Sequence, residues 1–395
     1  MSGRALPLAG ALVRSGRHQA MLAVPPWDWP ADAGCIEDRA GVPVVHIALP
    51  PAVPLPSAAL RAGLRDLLIT WRLLRTVHTW RPDVVHCCKP KGYGGLVLLA
   101  YWLGRRLGLT RARLVVDTDD WEGPGGWNER GDYSPAQRLV FRWQEPWLLR
   151  HADAVTVASK ALAEMVTALG VPAERIHYLP NGVGWQAEWP AGDGAAIRAR
   201  HGLGDRPVVL LYTRFFEFQA ARMVDVFARV VEEAPDADVR LLVVGTGLAG
   251  EEVAFAEQLA ARGLGERAVM VGWVDAAEVP HYLAAGDVAI YPLDDTLLNR
   301  TKCPVKLVDL MAAGRPVVAE RVGQAVEYLV APRGESGLLV PSGDEAAFAG
   351  AVVALLRDPD RRQRMGAAAR QRIWEHFNWD RLAQIAEQAY FSEHG

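Results

Sequence analysis

Four cysteines in 395 residues (Cys35, Cys87, Cys88 and Cys303) are too few and too irregularly spaced for a disulfide framework or a zinc site. Their scarcity fits a reducing, cytosolic setting. Long apolar runs are also lacking. Gly92–Gly104, the longest charge-free apolar run near the N-terminal half, falls short of the roughly 20 residues of a membrane span. The opening MSGRALPLAGALVRSGR has no strong basic leader, and Arg14 interrupts its apolar patch, so it does not read as an export signal. There is no fixed short repeat and no low-complexity tract. Strong overall charge is missing too: a net −3 argues against binding nucleic acid or any other polyanion through the whole surface. Acids are scarce in one region only. Between Ser57 and Arg113 eleven Lys/Arg meet just Asp66 and Asp83, a local +9.

What is present is an alternation of short apolar runs with longer helical patterns. Strands are expected at 20–24, 44–47, 84–87, 114–117 and 154–157. A second series follows at 208–212, 239–244, 268–271, 288–291, 316–319 and 337–340. Such alternation predicts parallel sheets covered on both faces, and two series predict two doubly wound, Rossmann-like α/β domains. The Gly-, Pro- and Trp-rich stretch 184–194 marks the seam. The expected domains are 1–186 and 187–372, with a closing helix over 373–395 that crosses back. A doubly wound domain should open on a strand and a glycine turn, whereas this chain goes straight into a helix. The expectation is therefore a late-placed start or a lost first strand.

Ligands of open parallel sheets bind beyond the C-terminal strand ends. After the strand at 208–212 stands Arg214, whose guanidinium offers fixed donors to phosphate oxygens; a surface ion pair competes with that reading. After the next strand comes Gly245-Thr246-Gly247-Leu248-Ala249-Gly250, formally GxGxxG. A dinucleotide site would need an acid about 20 residues on, and the first candidate, Asp275, lies too far away. The turn reads better as one that lets a nucleotide come close. Lys302–Val318 predicts a short helix opened near Pro304 and stopped by Gly314. Lys306 and Asp309 share one face of its first two turns, where the helix dipole favours an anion, so they suit a diphosphate and a ribose diol.

At this point the sequence resembles family 4 of the glycosyltransferases, a GT-B family of mostly retaining enzymes. The stretches that carry the resemblance are ASKALAEMV…GVPAERIHYLPNGV (158–183), LYTRFFEF (211–218), VRLLVVGTG (239–247), VMVGWVDAAEVPHYLAAGDVAIYPL (269–293), CPVKLVDLMAAGRPVVA (303–319) and ESGLLVPSGD (335–344). WEHFNWDRLAQIAEQAY (374–390) is similar to the family's closing helix. The resemblance implies a GT-B fold, two Rossmann-like domains facing a cleft, with the donor site in the C-terminal half. It implies that Arg214 is the first diphosphate-binding cation and that Gln219 stands where a second, usually lysine, is found. The family's paired glutamates fall at Thr301 and Asp309. Asp309 keeps the carboxylate expected on the ribose, while Thr301 does not keep the one that contacts the sugar. Gly272, Trp273 and Val274 match the stretch that reads the base. The expected donor set is Arg214, Gln219, Gly245, Gly247, Trp273, Val274, Thr301, Pro304, Val305, Lys306 and Asp309.

The N-terminal half is expected to bind the acceptor. Asp117-Thr118-Asp119 is formally a metal-binding DxD, discounted because the phosphate-binding features lie elsewhere. In the family a His-Asp pair usually ends this strand. Asp119-Asp120 stands there instead, making Asp119 the candidate for orienting or deprotonating the acceptor hydroxyl, with helix capping as the competing role. His86, Lys89 and Lys91, before Gly92, Gly94 and Gly95, suggest an anionic acceptor or donor phosphates. Trp121 opens a loop of flat faces and bare backbone that suits a sugar ring or plain packing. In the helix over 57–80, Arg61, Arg65, Arg72 and Arg75 fall within about 80° of one another, either a solvated face or a contact with an anionic membrane.

The expected reaction is metal-independent retaining transfer from a UDP- or GDP-sugar, a substrate and not a cofactor, to a hydroxyl. That hydroxyl belongs to a lipid-linked or cell-envelope glycan or a small metabolite. Arg214 and Lys306 neutralise the leaving diphosphate. The expected location is cytoplasmic, with peripheral contact at the membrane's inner face. The competing readings are a GT-B sugar-nucleotide epimerase and a non-catalytic binding protein.

Overall fold

Runs such as Ala154–Val157 and Val208–Tyr212 are almost wholly apolar and free of charge because both faces of each strand are covered by helices. The computed structural model describes residues 3–26, 30–52, 54, 57–131, 133–184, 192–330 and 334–391. The chain divides into two units. Unit 1 comprises Met1–Asn181, Thr301–Cys303 and Trp379–Gly395, and unit 2 comprises Gly182–Arg300 and Pro304–Asn378. The expected seam at 186/187 lies outside the described residues.

Unit 1 contains two sheets. In the first, β1 (Leu22–Val24), β2 (Ile36–Arg39) and β3 (Val42–His46) run in the order β1-β3-β2, with β2 antiparallel. In the second, β4 (Val84–Cys88), β5 (Arg113–Thr118), β6 (Ala154–Val157) and β7 (Ile176–Tyr178) are parallel and in sequence order. Its helices are α1 (Ala5–Arg14), α2 (Ala58–Trp80), α3 (Gly92–Arg106), α4 (Trp127–Arg130), α5 (Pro135–His151) and α6 (Lys160–Ala168). Among the described residues no strand precedes α1 and no ladder joins the two sheets. Strands β2 and β7 have no counterpart in the sequence expectations. β2 reads Ile-Glu-Asp-Arg, with three charges and no apolar run to announce it, and β7 is only three residues long.

Unit 2 has one parallel six-stranded sheet, β8 (Val208–Tyr212), β9 (Arg240–Val244), β10 (Ala268–Gly272), β11 (Val288–Tyr291), β12 (Val317–Glu320) and β13 (Leu338–Val340), in the order β10-β9-β8-β11-β12-β13. Its helices are α7 (Gly194–Arg200), α8 (Ala220–Glu233), α9 (Glu251–Ala261), α10 (Val279–Ala285), α11 (Leu297–Thr301), α12 (Val305–Ala312), α13 (Ala325–Leu329), α14 (Glu345–Arg357) and α15 (Pro359–His376). The strand order reverses between β8 and β11, and the crevice for a ligand in such a sheet lies at the strand ends there.

The last helix, α16 (Trp379–Phe391), belongs to unit 1. Trp379, Leu382, Ala383 and Ala386 bury against Leu8, Ala11 and Leu12 of α1. Exposed pairs such as Arg14–Asp380, 2.6 Å apart, decorate this contact. The apolar face is what holds it: a buried leucine-sized side chain is worth about 1.5–3 kcal/mol, an exposed ion pair about 0–1 kcal/mol.

Candidate functional site

In unit 2 the chemistry gathers at the C-terminal end of β8, next to the reversal point. Tyr212 ends the strand and Arg214 follows two residues on. Phe215 then adopts φ 65°, a left-handed conformation unusual for a bulky residue, held by its N–H donating to the Thr213 hydroxyl at 2.8 Å. The Arg214 guanidinium lies 5.7 Å from the centre of the Trp273 ring, which is 65% exposed just beyond β10. The buried Arg214 Nε has no hydrogen-bond partner. From α12, the Lys306 ammonium lies 3.8 Å from the centre of the Tyr212 ring. Burial pushes the Tyr212 hydroxyl up, Asp309 adds to that shift, and Arg214 opposes it. Burial also pushes the Asp309 carboxyl up to about 7, with Lys306 pulling it down. Arg214, Trp273, Lys306 and Asp309 are thus brought together around Tyr212, which the sequence reading passed over. Its one signal was its place as the last residue of β8.

The helix over 305–312 starts as expected. Pro304 is its N-cap, Val305 its first residue, and Gly314, at φ 68°, ends it after Ala313. Gln219 is exposed and N-caps α8 without a side-chain bond to it. Val274, beside Trp273, is partly exposed.

The glycine turn after β9 needs correction. Gly245 N–H donates to Gly272 O at 2.8 Å, and a Cβ on Gly245 would stand 2.1 Å from Thr213 O. Gly247 N–H donates to Glu252 at 2.7 Å, and Ala249 N–H to Glu251 at 2.7 Å. Neither named glycine has a free N–H for a nucleotide. Gly245 serves close backbone packing, and two acids of α9 occupy the place an anion would take. Thr301 closes α11. It is buried and groups with unit 1, where its carbonyl accepts from the Ser159 hydroxyl at 2.6 Å.

In unit 1, Asp117 lies inside. Both its oxygens are gripped by Arg4 at 2.6 Å, and Thr156 donates to it. Arg4 and these hydrogen bonds hold the Asp117 carboxyl below its ordinary range against the effect of burial. Asp117, His86 and Cys88 bring possible ligand atoms within 4.8 Å of one another. A guanidinium already fills the Asp117 oxygens, so neither this trio nor the DxD suits a cation.

His86 is committed internally. Tyr390 approaches its Nδ1 at 2.7 Å and Thr156 its Nε2 at 3.3 Å. Burial lowers its pKa, so it is a neutral ring in a relay from α16 to Asp117 and not an acceptor ligand. Lys91 is committed as well, bonded to Glu122 and the Tyr133 hydroxyl and lying 5.0 Å from the Tyr133 ring centre. Trp121 is buried, its indole N–H donating to Pro124 O at 2.9 Å, so it packs its own loop and offers no platform. Lys89 is accessible, 3.4 Å from Asp120, with Asp119 the main cause of its raised pKa. Burial and Asp119 push Asp120 up to about 6. Asp119 follows directly on β5, and its buried Oδ1 has no hydrogen-bond partner.

The fold and strand-end sites define a class, the GT-B glycosyltransferases. Sucrose-phosphate synthase from Thermosynechococcus elongatus superimposes with a TM-score of 0.69 at 23% identity, over 97% of this chain and 90% of that one. The catalytic domain of starch synthase IV from Arabidopsis thaliana, bound to ADP and acarbose, gives 0.71 at 15% identity over 97% and 94%. Residues 1–182 match the model of the glycosyl transferase 4-like domain, and 206–358 that of glycosyl transferases group 1. A GDP-mannose-dependent alpha-mannosyltransferase of Mycobacterium tuberculosis is 30% identical over 77% of this chain and 71% of its own length. A GDP-mannose-dependent alpha-(1-6)-phosphatidylinositol monomannoside mannosyltransferase of Mycolicibacterium smegmatis is 28% identical over 96% and 91%. The chain belongs to family 4 of the glycosyltransferases, and it is a glycosyltransferase.

Proposed function

We propose that the enzyme transfers a sugar, with retention, from a UDP- or GDP-sugar to a hydroxyl acceptor. The carrying observation is the convergence of Arg214, Lys306 and Asp309 on the end of β8. Two cations beside a helix N-terminus suit a diphosphate, and a carboxylate on the same helix suits a ribose diol. Relatives named as GDP-mannose-dependent support a guanosine donor.

The acceptor oxygen bonds to the anomeric carbon on the face from which the diphosphate leaves, with no covalent intermediate. Asp119 Oδ1 accepts the hydrogen bond of that hydroxyl and takes its proton as the bond to the anomeric carbon forms and the bond to the diphosphate breaks. Arg214, Lys306 and the α12 N-terminus neutralise the departing charge, so the reaction needs no metal. Lys89 and Asp120 flank the acceptor. Unit 1 works at the inner face of a membrane, bearing a lipid-linked or cell-envelope acceptor. Arg61, Arg65 and Arg75 on α2 are exposed, whereas Arg72 is tied to the Ala48 and Leu49 carbonyls. Among the described residues no helix is long and apolar enough to cross a membrane; the proposed contact is peripheral.

The test is thermal shift of the full chain with UDP-, GDP-, ADP- and TDP-sugars, followed by product analysis with and without EDTA. A donor at 100 times its Kd adds about 2.7 kcal/mol of stability. A response to UDP- or GDP-sugars with activity surviving EDTA is expected. Activity lost to EDTA and restored by Mn²⁺ overturns the metal-free mechanism.

A further inference from the structure

Helices α3 and α5 pack side by side through large aromatics. The Trp147 ring stacks between Trp143 and His151, at 5.7 and 4.0 Å, and meets Trp102 of α3 edge-on at 4.9 Å. Gly95 permits the close approach, since a Cβ there would stand 2.6 Å from Gln144. Large apolar side chains are exposed along both helices. Trp143 is 50% exposed, Leu139 71%, and Val140, Leu103 and Leu107 are exposed as well. Large apolar side chains scattered singly need no explanation, but a group on two packed helices marks a contact surface.

The charges around it are mainly positive, and the acids beside it, Asp153 and Asp66, are held by Arg105 and by Tyr93 and Arg65. α3 carries no acid, and the only acid on α5, Glu145, is fully buried. Arg138 and Arg142 are exposed, and the Arg106 guanidinium lies 5.0 Å from the Trp102 ring centre. A two-fold pairing of this face with a second copy would set these arginines against themselves, with the neighbouring acids already engaged by groups of their own chain. Tryptophan and leucine flanked by arginine match the boundary of an anionic bilayer, where the rings sit at headgroup level and the cations meet phosphate. α2, which packs on α3, continues the pattern with exposed Leu67 and with Trp71 under Arg75.

We propose that the α3–α5 seam is a membrane anchor whose apolar side chains seat in the headgroup region of an anionic bilayer. It rests on the reading of unit 1 as peripheral to a membrane, and adds an apolar anchor to the charge that α2 supplies.

Co-sedimentation of the full-length protein with phosphatidylcholine vesicles, with and without phosphatidylglycerol, tests it. The wild type is compared with Leu139→Ser/Trp143→Ser and with Arg61→Glu/Arg65→Glu, the nucleotide-induced melting shift serving as the check on folding. The wild type is expected to bind the phosphatidylglycerol vesicles. Leu139→Ser/Trp143→Ser is expected to bind about tenfold more weakly with its nucleotide shift intact. If that variant binds like wild type while Arg61→Glu/Arg65→Glu does not bind, the anchor is refuted and the α2 contact stands. If the wild type ignores both vesicles, both membrane readings fall. If the serine variant instead turns a dimer into a monomer in lipid-free solution, the face is a protein interface and the proposal is wrong.

Discussion

The Lys306 ammonium lies 3.8 Å from the centre of the Tyr212 ring, at the C-terminal end of the first strand of unit 2. Burial keeps the Tyr212 hydroxyl protonated, so the cation faces a neutral ring, a weaker partner than a diphosphate. Lys306→Ala and Arg214→Ala are each expected to lower kcat on the order of 10²-fold, the scale for losing one charge-stabilising donor. Gln219→Lys is expected to be tolerated and to tighten nucleotide binding, since it returns a positive charge at the head of α8. Near-normal turnover in Lys306→Ala, together with a dead Gln219→Ala, contradicts this division of labour.

Asp309 gives the donor site a pH dependence. Its carboxyl is raised to about 7, and a ribose diol is best bound by the ionised form. Donor affinity in the wild type should therefore fall as pH drops through about 7, and Asp309→Asn should flatten that profile at a lower affinity. Stability runs the other way. The folded protein keeps a proton on Asp309 that the unfolded chain gives up near pH 4. The contribution of this group is full below that pH and is lost as pH rises to about 7. In melts without ligand, Asp309→Asn should raise Tm at pH 8 and change it little at pH 4. An unchanged Tm at pH 8 refutes the burial account.

Asp119 has a buried carboxylate oxygen with no protein partner. Asp119→Asn, nearly isosteric, should reduce kcat by about 10²–10⁴-fold if the group handles the acceptor proton. Calorimetric donor affinity should stay within about twofold of wild type. An equal loss in affinity places Asp119 on the donor.

The buried Arg4–Asp117 fork should be a stability element. Arg4→Ala leaves an unpaired carboxylate inside unit 1 and should cost about 3–5 kcal/mol in urea unfolding. Arg4→Met with Asp117→Leu should recover most of that loss. If Arg4→Ala is as stable as wild type, the fork does not carry this burden.

Apart from the three-residue β7, the strands of the two larger sheets were legible because their burial leaves short, largely apolar runs. The donor cations were legible because they stand at strand and helix ends, where position alone assigns a direction. Partners remote in sequence were not legible. Lys91 looked like a free cation until Glu122, 31 residues on, was found beside it, and nothing near His86 announced Tyr390. The glycine turn misled for a local reason: Glu251 and Glu252, just after it, fold back onto its N–H groups. Trp121 looked like a platform because composition does not say which ring its own loop will bury.

The packing of α16 against α1 sets a timetable for biosynthesis. Unit 1 needs both residues 1–181 and residues 379–395, so its core stays incomplete while the ribosome makes everything between them. At about 5–20 residues per second, that interval is on the order of 10–40 s. Unit 2 is fully translated first. Through that wait the nascent unit 1 lacks the cover that α16 gives Leu8, Leu12 and Leu179, and this apolar surface closes only when α16 emerges.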